Sequence, residues 1–116
     1  MAPPSKLAVA TGAVIRLVKE EASYHKELAH QEARIKELED STGDENKEYS
    51  LRQERQALEE TKNVFPTIRQ KISQAVQKLE EELESNKEDG GSASTEEVTK
   101  AKDAVAEAKK AIREIS

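Results

Sequence analysis

From Leu7 onward, apolar side chains recur at spacings of three and four residues. Leu7, Val14, Leu28 and Ile35 fall on one seam and Ala10, Leu17, Tyr24 and Leu38 on the other, with Glu21 and Gln31 the two polar interruptions. Such spacings put residues on one face of a helix. The pattern predicts a first helix over about residues 5–40, capped by Ser5 and preceded by a short disordered leader, Met1–Pro4. Gly12 lies inside it at a cost of about 1 kcal/mol relative to Ala, and is expected to mark a close helix contact or a frayed first turn. Asp40–Asn46, DSTGDEN, is a turn cluster with Gly43 available for a positive φ, so the chain should reverse there.

The second helix is predicted over about residues 45–85. Leu51, Leu58, Phe65, Ile72 and Leu79 are spaced at strict sevens, the register of a coiled-coil partner for the first helix. Glu54 and Thr61 dilute the alternate seam position, so the first half of this helix should pack more weakly than Val64–Leu83, its most apolar stretch. Pro66 cannot donate to the carbonyl of Lys62, so the helix is expected to bend there while its seam stays in phase. Asn86–Ala93, NKEDGGSA, reads as a linker, and Ser94 with Glu97 forms a capping-box pattern that opens a third helix over about residues 95–115. Its seam is Val98, Ala101, Val105, Ala108, Ile112 and Ile115, and the small Ala side chains, with Ala104 and Ala111 beside them, should let it approach the other two closely. The expected fold is all-α: one domain over residues 1–116, an antiparallel, coiled-coil-like three-helix bundle with a proline-bent second helix.

Composition strengthens this reading. Charged residues make up 37% of the chain and aromatics 3%, and no stretch alternates β-branched with polar residues as a strand would. Nineteen basic against 24 acidic residues, with no basic cluster longer than Lys109-Lys110, excludes a phosphate-binding face for nucleic acid. No apolar run is long enough for a membrane span, and there is no cysteine for a disulfide framework. The first twenty residues have neither the basic nor the continuous apolar region of a secretory signal, which points to the cytosol. Residues 1–19 hold Lys6, Arg16 and Lys19 and no acid, whereas Glu80, Glu81, Glu82, Glu84, Glu88 and Asp89 crowd the end of the second helix. Antiparallel pairing should bring these two ends together.

Candidate chemistry is sparse. His25 and His30 lie five apart on a helix and do not share a face, whereas zinc needs three or four convergent ligands. No nucleophile–base pair or phosphate loop is present, and the carboxylates sit on solvated faces where they do no acid catalysis, so the chain reads as no enzyme and as needing no cofactor or metal. Tyr24 belongs to the seam. Tyr49, near the hairpin tip, is either a partner anchor or an ordinary contact at the start of its helix. The third helix is too short to cover the tip, so Leu28, Ile35, Leu38, Leu51 and Leu58 are expected to pack on one side only, leaving apolar edges flanked by Glu27, Gln31, Arg34, Arg55 and Glu59. Such a surface suits a helical partner or a second copy of the chain in a homodimer; equally, the two-helix tip can close its own seam. From the residues alone the chain is a helical interaction module, and a generic coiled-coil adaptor or tether fits as well.

A more specific signal lies in Thr11-Gly12-Ala13-Val14-Ile15-Arg16-Leu17-Val18-Lys19-Glu20, followed by Tyr24, Lys26-Glu27 and Gln31-Glu32, and then by a second helix with Pro66 near its middle. This pattern resembles the tubulin-specific chaperone A family, also called tubulin-folding cofactor A, over nearly the whole chain; Ala13 departs from the larger aliphatic residue more usual there. The resemblance implies a small cytoplasmic, cytoskeleton-associated bundle that binds β-tubulin after it leaves the cytosolic chaperonin and holds it for heterodimer assembly, without nucleotide. Tubulin is acidic, so a chain of net charge -5 would have to meet it through local cations such as Arg16, Lys19, Lys26 and Arg34 together with the apolar edges.

Overall fold

The computed structural model describes residues 5–43 and 45–115, with the side chains of the last two excepted. The leader expected over Met1–Pro4, Asp44 of the turn cluster and the Ile115 side chain lie outside the described residues. The chain forms three helices, α1 (Lys6–Asp40), α2 (Lys47–Glu88) and α3 (Thr95–Ile115), with no strand among the described residues. The helix ends follow from local chemistry. Ser5 Oγ accepts the Ala8 N–H at 3.0 Å and in turn donates to the Glu97 carboxylate at 3.1 Å, so one hydroxyl caps α1 and ties its start to that of α3. Ser94 Oγ accepts the Glu97 N–H at 3.1 Å and caps α3. α1 and α3 therefore run side by side in the same direction, with α2 antiparallel to both.

The two connections work differently from each other. Gly90 and Gly91, at φ 88° and 73°, are the positive-φ residues among those described. The Gly91 N–H returns to the Asn86 carbonyl at 2.8 Å, a glycine-ended helix terminus that non-glycine residues adopt only with strain. Gly43, expected to supply the positive φ of the first turn, does not. That turn leaves α1 through Ser41 in extended conformation and is held by Lys47, whose ammonium donates to the carbonyls of Glu39 at 3.1 Å and Ser41 at 2.9 Å. A Cβ at Gly43 would stand 3.0 Å from Lys47 Cδ, so the glycine makes room for the lysine stem instead. A cation at the carbonyl end of α1 also complements its dipole.

The core lies where all three helices meet. Leu7, Ala10 and Val14 of α1 pack on Phe65, Ile68, Ile72, Val76 and Leu79 of α2 and on Ala101, Ala104 and Ala108 of α3. Val14, Ile72 and Leu79 are its largest fully enclosed side chains. The alanines of α3 keep that helix close, since a methyl group fills little space between backbones. Toward the Gly43 turn the molecule thins to two helices, and it measures 68 × 30 × 17 Å. Gly12 marks no close contact: a Cβ built there meets nothing within 4 Å, and the helix is formed through it, so the glycine is a tolerated weak point.

α2 runs without interruption through Pro66, whose ring lies on the exposed side. Replacing Pro66 with alanine restores an N–H for the Lys62 carbonyl and removes the ring from its path. The expected result is a thermal midpoint that rises or holds, with a gain of up to about 3 kcal/mol. A marked loss of stability in the melt would show instead that packing requires the proline.

Candidate functional site

Every cation expected to face a partner stands in solvent: Arg16, Lys19, Lys26, Arg34 and Arg55 are all exposed, as are Glu27 and Glu59, while Gln31 is half-buried. They do not converge on one site. Arg16 and Lys19 flank the three-helix stem. Lys26, Glu27, Gln31 and Arg34 belong to the two-helix part, with Arg55 and Glu59 on the opposite helix of the hairpin, α2. Within that part Arg34 pairs with Glu54 at 3.2 Å, Arg55 lies 3.8 Å from Glu39, and Gln31 makes a long 3.5 Å contact to Glu27. The two ion pairs lace α1 to α2 along the outside of the seam, while the Gln31–Glu27 contact lies within α1. Exposed pairs of this kind contribute about 0–1 kcal/mol each.

The apolar edges expected at the tip are narrower than the sequence implies. Ile35 and Leu51 are 8% and 5% exposed. Leu28, Leu38 and Leu58 remain half-buried and form what edge there is. Two helices can bury only residues that point straight at the partner helix, and the charged stems of Arg34, Glu54 and Arg55 shield part of the remainder. Tyr24 packs edge-on to Phe65 with ring centroids 6.4 Å apart, as a seam residue should. Tyr49 is 59% exposed, and its hydroxyl accepts from Gln53 at 2.9 Å.

The two polar seam residues have a cost that the sequence does not show. Glu21 is buried, and Gln31 half-buried, yet the Oε1 of each has no well-formed hydrogen bond. Glu21 Oε1 meets the ring nitrogen Nε2 of His25, one turn along, in an ion-pair contact, and the His25 ring lies over Phe65 with centroids 4.7 Å apart. His25 therefore closes the seam over a buried carboxylate. Thr61, the diluting residue of α2, is satisfied within its own helix by donating to Ala57 at 3.0 Å. Glu21→Leu should raise stability by about 1–3 kcal/mol, since an apolar side chain in place of a poorly paired buried charge removes a desolvation penalty. A higher urea midpoint with unchanged slope checks it; a lower one would mean the Glu21–His25 contact outweighs that penalty.

Ions at the far end pair otherwise than expected. Glu80 accepts from Lys109 of α3 at 3.1 Å and Glu82 lies 3.7 Å from Lys78 of α2 itself. Among the described residues no ion pair joins these acids to Lys6, Arg16 or Lys19. No group of three or more His, Asp or Glu among the described residues could hold a metal ion, and no helix is long and apolar enough to cross a membrane.

A long bundle with laced flanks and a narrowing, partly apolar end offers an extended surface to a partner. Comparison with known proteins places it. A baker's yeast protein named tubulin-specific chaperone A is 34% identical over 106 residues, covering 90% of this chain and 92% of its own. Proteins of the same name from mouse and human are 30% and 29% identical over 83 residues, covering 72% of this chain and 74% of theirs. These relatives are named as chaperones, not enzymes. No solved structure matches the chain. Residues 2–105 match the family model described as tubulin binding cofactor A, and on that match, together with relatives aligned over most of their length, the chain belongs to the tubulin binding cofactor A family.

Proposed function

We propose that the chain, acting as a single three-helix domain, is a tubulin-folding chaperone that captures β-tubulin after its release from the chaperonin and holds it until heterodimer assembly. It works in the cytoplasm as part of cytoskeletal supply, one copy per client, without cofactor or nucleotide. The observation that carries this reading is the family match over residues 2–105. The geometry is compatible with it: a rod 68 Å long can lie along a client and shield a broad surface without enclosing it. The half-buried Leu28, Leu38 and Leu58 supply apolar contact in the two-helix part, and the exposed Lys26, without an ion pair among the described residues, and Arg34 supply local positive charge to an acidic client.

A pull-down from cytosol in which β-tubulin is the dominant partner, at a ratio of one to one, is the expected result. Recovery of some other protein as the dominant partner would favour a generic adaptor, and recovery of the chain alone as a dimer would assign the apolar edge to self-association. Reversing charge at Lys26 and Arg34 should weaken binding while leaving helicity intact, because the Arg34–Glu54 pair it breaks is exposed on the Arg34 side. Binding that survives this change but is lost on altering the outer faces of α2 or α3 would move the interface there.

A further inference from the structure

A cleft beside Pro66 lies outside the core and outside the flank already described. It opens between α1 and α2 near the middle of α2, has a volume of about 460 Å³, and is lined by His25, Leu28, Lys62, Phe65, Pro66 and Arg69. Its floor is apolar: Leu28 half-buried, Phe65 nearly covered, and the exposed ring of Pro66 at the lip. Its rim is basic. Lys62 and Arg69 stand seven residues apart on α2, two turns on one face, and Pro66 lies between them. Neither is in an ion pair among the described residues. The acid in the α1 seam, Glu21, is buried and already in contact with His25.

The charge around this cleft runs against the net charge of the chain. The net charge is -5, yet residues 61–79 of α2 contain Lys62, Arg69, Lys71 and Lys78 and no Asp or Glu. On the same helix Arg55 meets Glu39, and Lys78 meets Glu82. At the cleft the cations are left over beside exposed apolar surface. Two unneutralised positive groups bracketing an apolar hollow are complementary to an acidic stretch that carries an apolar side chain. The hollow takes up the anchor, the cations fix its register, and the partly shielded setting strengthens the charge contacts relative to open surface.

We propose that the cleft at Pro66 is a docking site for an acidic segment of a protein partner, anchored by one apolar side chain against Leu28, Phe65 and Pro66 and held by Lys62 and Arg69. This rests on the chaperone reading above and deepens it, since the acidic client would present that segment. Leu28 belongs both to the cleft and to the apolar edge of the two-helix part, so one client can span both.

The test compares the full chain with its K62E/R69E variant. The first measurement is affinity for purified tubulin, with helicity and thermal midpoint followed alongside. The second is a titration with a synthetic peptide of alternating glutamate and leucine, against a control with lysine for glutamate, read by chemical shifts at Phe65 and at the position 69 backbone amide. The expected result is tubulin binding at least about tenfold weaker in the variant at unchanged helicity, and shifts with the acidic peptide that the variant and the control peptide do not give. Should the variant fold poorly, K62A/R69A replaces it and the same loss is expected. Equal tubulin affinity of folded variant and parent overturns the docking site and leaves the chaperone reading standing. If the parent binds no tubulin, it is the chaperone reading that fails. The acidic-peptide shifts then decide the cleft alone: present and lost on charge reversal they support it, and absent they overturn it.

Discussion

Truncating Ile72 to alanine is expected to lower stability by about 3–5 kcal/mol, the upper part of the range for such changes. Ile72 is fully enclosed in the layer where all three helices meet, between Val14 of α1 and the buried alanines of α3. The cost of a truncation depends on how far the surroundings can close over the gap. Here they cannot close far, because the fully buried side chains of α3 are the methyl groups of Ala101 and Ala108, which have no rotamer to swing inward. A domain of this size typically holds only about 5–15 kcal/mol in total, so the variant should be partly unfolded at moderate temperature. Equilibrium urea unfolding measures the loss as a lower midpoint at similar slope. Ile35→Ala, in the two-helix part where side chains reach solvent within one turn, should cost less. Equal losses at the two positions would mean that the three-helix layer is no tighter than the tip.

The reverse change has a comparable effect by the opposite route. Ala108→Leu inserts three carbon atoms at a position of α3 that is fully buried. With no space to receive them, the added atoms push α3 off the hairpin, at a cost of about 1–3 kcal/mol. The loss should be local: amides of α3 should exchange hydrogen faster, while those of α2 around Thr61 and of the two-helix part keep most of their protection. Ala106→Leu, on the exposed side of the same helix, serves as the control and should change little. Uniform loss of protection along α1 and α2 would show that the three helices unfold as one unit and that α3 cannot detach separately.

Much of this architecture can be read from residue spacing. The seven-residue recurrence from Leu51 to Leu79 and the alanine-rich seam from Ala101 to Ala108 give the helices and their apolar faces, since a helix has few ways to bury a stripe. Glu21 and Gln31 are visible as breaks in the seam. What spacing does not give is the response to a break: His25 becomes the lid over Glu21 only because Phe65 of the other helix lies beneath its ring. Gly43 shows the same limit. A glycine in a turn cluster suggests a positive φ, but the geometry there is set by Lys47 reaching back to two carbonyls of α1, a contact that depends on where the next helix starts. The candidate surface was legible only as exposed charged and polar residues beside apolar seam positions. In a chain so rich in charge, exposure distinguishes few residues from the others. The cleft at Pro66 joins side chains some forty positions apart, and becomes visible only once the register between α1 and α2 is known.

The glycine-ended connection between α2 and α3 has a thermodynamic side. Through residues 89–94, α3 behaves as a ligand permanently tethered to its own receptor, the groove between α1 and α2. A short flexible tether holds such a ligand at an effective concentration in the millimolar range. Any free helix seeking the same groove must out-compete that local supply, which a client present at micromolar levels does only if it binds about a thousandfold more tightly than α3 itself. The groove is thus closed to outsiders by mass action as well as by packing, and partners are directed to faces the tether leaves uncontested.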